Sequence, residues 1–406
     1  MNFATAFYLA AQVPPRFSGA LLLLLVAGGL LVHWQRPRSA LAFGVIALDW
    51  QRAVYAVCGV GLLAIFQAVW LPNDNRPGTV VHLLVYLVLF LGRDRDQPND
   101  VAGPAVALTT LLSLLLLLSF PLPALRDIAW VEKIGGYRFQ SYFSEPSLAS
   151  FVLIFNLHHL WMRGLERPWA RPLLVVNLIC LVPTFSGSGM MLLALLVLTH
   201  LRHNFSWRQA MVFLLLLLVT LVGLRTLFTA AFDQMLVARA AGLLGNQTDN
   251  STFLRFVVPW LFIRDMAQDD VHFWLGTGIG GLVDFIESNH HRLWYLVDYQ
   301  GQTLVNLNNG YAIVLSLLGV PLGLLLTVAV VWRVWVSPAE PTSKVLFLAY
   351  PFFSGFVIHP MPWLLLALAM TRLRPPATPL PASPPSPPIQ AAPAQASPAG
   401  AEPMRR

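Results

Sequence analysis

Long apolar runs recur along the chain and are separated by short polar or proline-containing breaks. Blocks such as residues 20–32, 111–118 and 211–222 lie within longer uncharged runs. These runs approach the roughly 20 residues that a helix needs to cross a lipid bilayer, and they are too long for buried strands. The predicted membrane-spanning helices are residues 17–33, 53–71, 79–92, 101–121, 145–162, 172–185, 188–201, 208–228, 311–335 and 344–371.

This pattern predicts an all-α polytopic membrane protein with about ten to twelve transmembrane helices. The upper number allows for residues 3–13 and 40–50, each of which fits either an interfacial segment or an extra short span. Three parts follow from the spacing of the runs: N-terminal transmembrane helices, a large loop and C-terminal transmembrane helices. Their predicted bounds are 1–228, which includes a shorter loop at 122–144, then 229–310 and 311–371.

Composition and charge support this fold class and predict its orientation. Of the 406 residues, 56% are hydrophobic and 11% are charged, which favours hydrocarbon over water. The net charge is +7, but the Arg residues lie singly beside apolar runs, unlike the basic blocks of nucleic-acid-binding proteins. Such basic loops are typically cytoplasmic, so the loops 122–144 and 229–310 are predicted to face the periplasm from a bacterial inner membrane.

The C-terminal segment has a different composition. Residues 372–406 are dominated by Pro, Ala and Ser, which cannot bury an apolar core. We predict a disordered cytoplasmic tail that takes no part in the chemistry.

The first candidate site precedes the predicted span 145–162. Arg138 and Glu145 flank a segment rich in aromatic residues and Ser. One interpretation is structural: Ser144 caps the helix, Pro146 occupies its first turn and Glu145 favours the positive end of the helix dipole. The other is that Arg138 binds an anion while Glu145 holds or deprotonates a sugar hydroxyl. Both interpretations fit these residues.

A Ser/Gly segment at residues 184–189 divides 172–201 into two short helices. It fits a plain hairpin turn. It also fits a phosphate site, because a helix that begins near Ser188 presents free backbone N–H groups and glycine lets a ligand approach the backbone closely. Ser186 and Ser188 are therefore candidate substrate-binding residues.

The large loop holds three further features. Arg255 lies beside an apolar stretch, and its guanidinium group is suited to bind a lipid pyrophosphate. A second interpretation is that its side chain only extends to the headgroups of membrane lipids. The glycines of 276–281 superficially resemble a dinucleotide fingerprint, but no βαβ unit surrounds them, so no nucleotide cofactor is expected.

His290 and His291 fit solvated loop residues or a general base near neutral pH. No Cys or suitably spaced carboxylate joins them, so no metal is expected.

Together these segments resemble a known family. Residues 143–147, Phe-Ser-Glu-Pro-Ser, are similar to the F-x-E-P-S start of a span in O-antigen and exopolysaccharide polymerases. Residues 186–189 occupy the place of the Ser-rich break of that family. Residues 255–281 resemble its Arg- and Trp-containing segment that leads to G-x-G-x-G, and 308–311 with 318–320 are similar to its (H)N-x-Y helix start.

The resemblance covers residues 138–335, in the order and spacing of the family. It implies a metal-independent membrane glycosyltransferase without a cofactor, which acts on undecaprenyl-pyrophosphate-linked saccharides at the periplasmic face. Cations must stabilise the departing pyrophosphate, and a group must take the proton of the acceptor. The implied roles are catalysis for Glu145, His290 and His291, and substrate binding for Arg138, Arg255, Ser186, Ser188, Asn309 and Tyr311.

Three functions are weighed on this basis. A polymerase joins lipid-linked repeat units into O-antigen or exopolysaccharide, whereas an O-antigen ligase transfers the finished chain to lipid A core. The ligases usually carry His where this chain has Asn308 and Arg where it has Gly187, so the polymerase is favoured. A transporter or flippase should show internal repeats, and none is evident. Expected partners are membrane lipid, a chain-length regulator and a flippase; nucleic acid is not expected.

Overall fold

The structure is a computed structural model, and its described residues belong to one compact unit, Met1–Leu373. The predicted span 208–228, residues 229–254 of the predicted large loop and the predicted tail 372–406 lie outside the described residues. The described residues are 3–13, 17, 19–25, 50–71, 77–92, 103–119, 121–133, 136–141, 143, 145–163, 170–204, 255–293, 295–296, 307–355 and 359–370.

Helices make up most of the described structure. Besides the helices named below, residues 19–25 are helical, and Val182–Thr184 form a 3-10 turn. Two short strands are β1 (Trp130–Lys133) and β2 (Gly136–Phe139). The helices are α1 (Phe3–Ala11), α2 (Trp50–Trp70), α3 (Pro77–Gly92), α4 (Gly103–Leu117), α5 (Pro123–Ala129), α6 (Pro146–Arg163), α7 (Ala170–Leu181), α8 (Gly187–Asn204), α9 (Val258–Met266), α10 (Asp270–Leu275), α11 (Leu282–Ser288), α12 (Gly310–Leu318), α13 (Val320–Trp335), α14 (Pro341–Phe353) and α15 (Pro360–Met370).

None of the helices in this described part of the chain is both long enough and apolar enough to cross a membrane. The prediction of a polytopic protein with ten to twelve transmembrane helices is therefore wrong.

Local breaks explain why several apolar runs do not become long helices. In the predicted span 311–335, Gly319 has a φ of 81° and separates α12 from α13. In the predicted span 344–371, His359, Pro360 and Pro362 predict a break into two half-helices, and α14 indeed ends at Phe353 while α15 begins at Pro360. A hydropathy pattern continues through such breaks, whereas a helical backbone does not.

Both segments predicted as outer loops contain regular structure. Within 122–144, β1 and β2 form an antiparallel hairpin in which Trp130 pairs with Phe139. Within 229–310, the described residues include α9, α10 and α11. The strands of the hairpin are a departure from the predicted all-α fold.

Two groups of buried apolar side chains hold these elements together. The larger includes residues of α6, α7, α8, α14 and α15, and its Phe151 and Tyr350 rings lie 5.1 Å apart. The smaller packs α9, α11 and α12, with the rings of Phe262 and Phe285 5.7 Å apart. Removing such surfaces from water is the main favourable contribution to folding.

The turn after α10 crosses closely over the α12–α13 junction. Gly276 has a φ of 70°, and the backbone N–H of Thr277 donates to the carbonyl oxygen of Ser316 at 2.6 Å. A Cβ on Gly276 would lie 2.5 Å from the backbone nitrogen of Gly319. The conformation and the close approach both require glycine at this position, so Gly276 has a structural role.

Gln67 of α2 holds the same crossing together. Its side chain is only 1% exposed. Its amide nitrogen donates to the carbonyl oxygens of Leu275 and Leu317 at 2.8 and 2.9 Å, and its amide oxygen accepts from the backbone N–H of Ile279 at 3.0 Å. One buried side chain thus satisfies three backbone groups from segments that are distant in sequence.

We expect Gly276→Ala to lower the free energy of unfolding by about 2–5 kcal/mol, because the new Cβ meets backbone atoms and the φ is strained for alanine. Thermal unfolding followed by circular dichroism measures this loss. Gly59→Ala is the matched control, since a Cβ at Gly59 would meet nothing within 4 Å. A helical Gly→Ala exchange at such a site should stabilise by about 0.5–1 kcal/mol. Equal effects of the two substitutions would contradict the proposed crossing.

Candidate functional site

The β1–β2 hairpin positions Arg138 ahead of α6. Arg138 pairs with Val131 across the hairpin, and its side chain is half-buried. After β2, the backbone N–H groups of Gln140 and Ser141 both donate to the carbonyl oxygen of Ala129, at 2.8 and 3.2 Å. These bonds hold the strand that carries Arg138 against the end of α5.

Glu145 is the residue directly before α6. Its carbonyl oxygen accepts from the backbone N–H of Ala149 at 3.2 Å, and Pro146 opens the helix as predicted. The half-buried carboxylate accepts a hydrogen bond from the Ser147 hydroxyl at 3.0 Å. Glu145 therefore lies at the positive end of the helix dipole and is oriented by Ser147. The predicted cap, Ser144, lies outside the described residues.

The Ser/Gly segment caps α8. Phe185 has a φ of 43° and follows the 3-10 turn. The Ser186 hydroxyl accepts from the backbone N–H of Gly189 at 3.2 Å and lies 3.0 Å from the Ser188 hydroxyl. Both serines are buried. Since Ser186 already binds the Gly189 N–H, the geometry favours a cap over a phosphate site at this helix end.

Gly189 brings the start of α8 against α6. A Cβ at Gly189 would lie 2.6 Å from the Cβ of Ser150, about one helical turn after Glu145. The 3-10 turn that precedes α8 contacts both β2 and α6. Segments that are far apart in sequence therefore meet in one place. We call the five candidate residues on these neighbouring segments, Arg138, Glu145, Ser147, Ser186 and Ser188, the Glu145 cluster.

Arg255 belongs to a second group, with Asn309 and Tyr311. The buried Asn309 caps α12, accepting from the backbone N–H of Ala312 at 3.1 Å, and donates to the carbonyl oxygen of Arg255 at 3.4 Å. The Tyr311 hydroxyl donates to the carbonyl oxygen of Leu348 at 2.7 Å, and burial raises the pKa of Tyr311 to about 12. Both side chains thus hold backbone segments in place. Their substrate-binding role stays a prediction.

A small cavity of about 150 Å³ lies beside Tyr311. Its other lining residues include Gly310, Pro351 and Trp363. Ligand pockets for small molecules usually measure about 300–1,000 Å³, so this space is too small for an oligosaccharide.

His290 and His291 lie just after α11, next to the smaller apolar group. Both are exposed, and their rings are nearly perpendicular with centroids 5.9 Å apart. The Nδ1 atom of His290 lies 3.0 Å from the carbonyl oxygen of Glu287, which is in the last turn of α11. Neither histidine is part of the Glu145 cluster, and the catalytic roles of Glu145, His290 and His291 stay predictions.

A buried polar cluster between α6, α8 and α14 was not predicted. The Nε2 atom of His158 lies 3.2 Å from the Ser343 hydroxyl, which in turn donates to the Glu340 carboxylate at 3.2 Å. The His158 and His200 rings lie 5.9 Å apart. Within the described residues, no three His, Cys, Asp or Glu side chains could hold a metal ion. Two histidines inside predicted apolar spans were the signal that could have revealed this cluster.

Acid should weaken the packing around His158. Burial lowers the pKa of His158 and of His200 below the ordinary value of 6.5. The unfolded chain therefore takes up protons below about pH 6.5 that the folded chain excludes, so the free energy of unfolding falls as pH falls through this window. For His158 we expect a loss of about 1–3 kcal/mol between pH 7.5 and 5.

His158→Gln tests this prediction, because glutamine can still bond the Ser343 hydroxyl but cannot titrate. Chemical unfolding at pH 7.5 and at pH 5 should show a smaller acid loss in the variant than in the unsubstituted protein. The difference in the free energy of unfolding between the two proteins at pH 7.5 measures how differently glutamine and histidine pack, and it is subtracted from the difference at pH 5. Identical acid losses in both proteins would show that His158 does not contribute.

Comparisons with known proteins add no relative. No family model matches the chain, and no curated protein matches it significantly. The resemblance to O-antigen polymerases and ligases therefore depends on the sequence motifs in residues 138–335 alone.

Proposed function

We propose that the protein polymerises undecaprenyl-pyrophosphate-linked oligosaccharide repeat units into O-antigen or exopolysaccharide, at the periplasmic face of the bacterial inner membrane. The observation that carries the proposal is the Glu145 cluster. It combines a carboxylate at a helix start with a strand that presents an Arg, and both segments contact the 3-10 turn before α8. A glycosyl transfer without a metal needs these two kinds of group.

The proposed reaction transfers the growing chain from its carrier to a new repeat unit. An acceptor hydroxyl oxygen attacks the anomeric carbon at the reducing end of the growing chain, and the bond from that carbon to the carrier pyrophosphate breaks. Glu145 takes the hydroxyl proton as a general base. Arg138 stabilises the negative charge that develops on the departing pyrophosphate, while Arg255, in the second group, stays a predicted substrate-binding residue.

Exposed apolar faces support a lipid-linked substrate. Large apolar side chains on α2 and α13 are between 41% and 76% exposed. Many large exposed apolar side chains on one helix are typical of a surface that contacts lipid or another protein. These side chains include Val54, Tyr55, Leu62, Ile65, Phe66, Val69 and Trp70 on α2, and Leu322, Leu324, Leu325, Val328, Trp332 and Trp335 on α13.

Gel electrophoresis of surface polysaccharide from a deletion strain tests the proposal. Single repeat units on the lipid core are expected if the polymerase is lost. Long chains that accumulate on the carrier would instead indicate the ligase, and an unchanged pattern would rule out both functions. The same gene supplied in trans should restore the full ladder, and the Arg138→Ala variant should not.

A further inference from the structure

A buried row of hydrogen-bonded side chains joins α6 to α14. Both His158 in α6 and Ser343 in α14 are buried. The Ser343 hydroxyl donates to the carboxylate of Glu340 at 3.2 Å, and the backbone N–H of Ser343 donates to the same oxygen at 3.0 Å. Glu340 thus caps α14 while it binds the hydroxyl that His158 contacts. The ammonium group of Lys344, the next residue in α14, donates to carbonyl oxygens at the end of α13.

The single proton of the Ser343 hydroxyl determines which nitrogen of His158 carries hydrogen. Because the hydroxyl gives that proton to Glu340, it must accept from His158, whose Nε2 atom lies 3.2 Å away. Neutral His158 therefore carries its hydrogen on Nε2 and a lone pair on Nδ1. The buried Nδ1 atom has no hydrogen-bond partner within the described part of the chain. A second proton would add a buried N–H donor at this atom, which is costly when no acceptor is in place.

Helix α8 completes the surroundings of His158. The ring of His200 in α8 lies 5.9 Å from that of His158 and stacks on Trp161, with centroids 4.8 Å apart. Burial has the largest effect on His158 and lowers its pKa to about 4. The carboxylate of Glu340 favours a positive charge on the ring, whereas His200 and His159 oppose one. The ring is therefore neutral at pH 7.5.

The two helices that this row joins also position the candidate groups. Helix α6 begins directly after Glu145. Helix α14 supplies the Leu348 carbonyl oxygen that accepts from the Tyr311 hydroxyl. The bond between His158 and Ser343 therefore links the helix of the Glu145 cluster to the helix that holds the second group.

We propose that His158, Ser343 and Glu340 form a proton-operated latch between α6 and α14. The latch is closed while His158 is neutral. It opens when acid adds a proton to Nδ1, because the new N–H and its charge need contact with water. Opening is local, since it frees the start of α14 from α6 and leaves the rest of the fold intact. The latch does not depend on glycosyl transfer, so its test is separate from that of the proposed function.

Amide hydrogen exchange of the full-length protein at pH 7.5 and 5.5, expressed as protection factors, tests the latch. The protection of the Ser343 amide should fall about tenfold at the lower pH, the ratio for a histidine whose pKa is about 4 when held and 6.5 when released. Low concentrations of urea should barely change this exchange, because a local opening exposes little surface. The Ile313 amide, bonded to Asn309 in α12, should need global unfolding, so urea should accelerate its exchange steeply.

His158→Gln should abolish the acid loss at the Ser343 amide, because glutamine can bond the hydroxyl but does not titrate. His359→Gln is the matched control: His359 is also buried but lies directly before α15, and its exchange should leave the acid loss unchanged. Ser343→Ala removes the link between His158 and Glu340 but keeps the backbone N–H. It should therefore lower the protection of the amide at position 343 at pH 7.5 as well.

Two results would overturn the role of His158: an acid loss that persists in His158→Gln, or one that disappears only in His200→Gln. A urea dependence at Ser343 as steep as that at Ile313 would overturn the local opening, and with it the latch. If His158→Gln did not fold, Ser343→Ala and the urea measurement on the unsubstituted protein would still decide. Unchanged protection of the amide in Ser343→Ala would contradict the latch.

Discussion

Glu145→Gln should reduce the rate of polysaccharide elongation by about 10²- to 10⁴-fold, which is the usual contribution of a general base. Glutamine has nearly the same volume and can still accept a hydrogen bond from the Ser147 hydroxyl, which lies 3.0 Å from the native carboxylate. It cannot take up the proton of an acceptor hydroxyl. The rate is measured with purified protein and radiolabelled lipid-linked repeat units, as the appearance of products longer than one unit.

Glu132→Gln is the matched control for this substitution. Glu132 is an exposed carboxylate on β1 of the neighbouring hairpin, and it pairs in register with Tyr137. Glu132→Gln removes one carboxylate charge, as Glu145→Gln does, from nearly the same region, and it should leave the rate of elongation unchanged. If Glu145→Gln kept more than about a tenth of the rate, the carboxylate would be a helix cap and not the base.

Features that depend on neighbouring residues were predictable from the sequence. The Glu-Pro pair predicted a helix start at residue 145, and α6 begins at Pro146. The Ser/Gly segment predicted a break between two helices, and α8 begins at Gly187 after the 3-10 turn. Caps, proline positions and glycine breaks act within one or two helical turns, so their residue types alone indicate them.

Features that depend on distant contacts were not predictable in this way. Gln67 looked like a single polar residue inside an apolar run, but its partners Leu275, Ile279 and Leu317 lie more than 200 residues further along the chain. The Glu145 cluster likewise forms because Gly189 packs on Ser150. No local pattern encodes such a contact, since it arises from the packing of whole helices.

The prediction of ten to twelve transmembrane helices failed for a related reason. Hydropathy measures how apolar a run is, and it does not show whether one helix continues through that run. Gly319 separates α12 from α13 because its backbone passes close to the carbonyl group of Trp274 at a φ of 81°. The start of α12 was predictable in contrast, because Asn309 directly before a glycine and an apolar run is a favourable helix cap.

Gln67→Leu should lower the free energy of unfolding by about 3–6 kcal/mol, the second large effect that we expect. Leucine fills a similar volume but leaves the carbonyl oxygens of Leu275 and Leu317 and the N–H of Ile279 without their buried partner. Each unsatisfied buried group costs about 1–3 kcal/mol. Because a folded domain is stable by only about 5–15 kcal/mol, this loss would remove much of its stability. Chemical unfolding followed by circular dichroism measures the loss.

Gln51→Leu provides the same chemical change on the same helix without the buried partners. The Gln51 side chain is exposed and donates to the Tyr55 hydroxyl at 3.1 Å on the surface. Its exchange should alter the free energy of unfolding by no more than about 0.5 kcal/mol. Hydrogen exchange would locate the effect of Gln67→Leu, since the Ile279 amide should lose protection first if Gln67 holds the crossing. Equal stability of the two variants, or unchanged protection of Ile279, would show that the crossing is held by its backbone bond from Thr277 to Ser316 and not by Gln67.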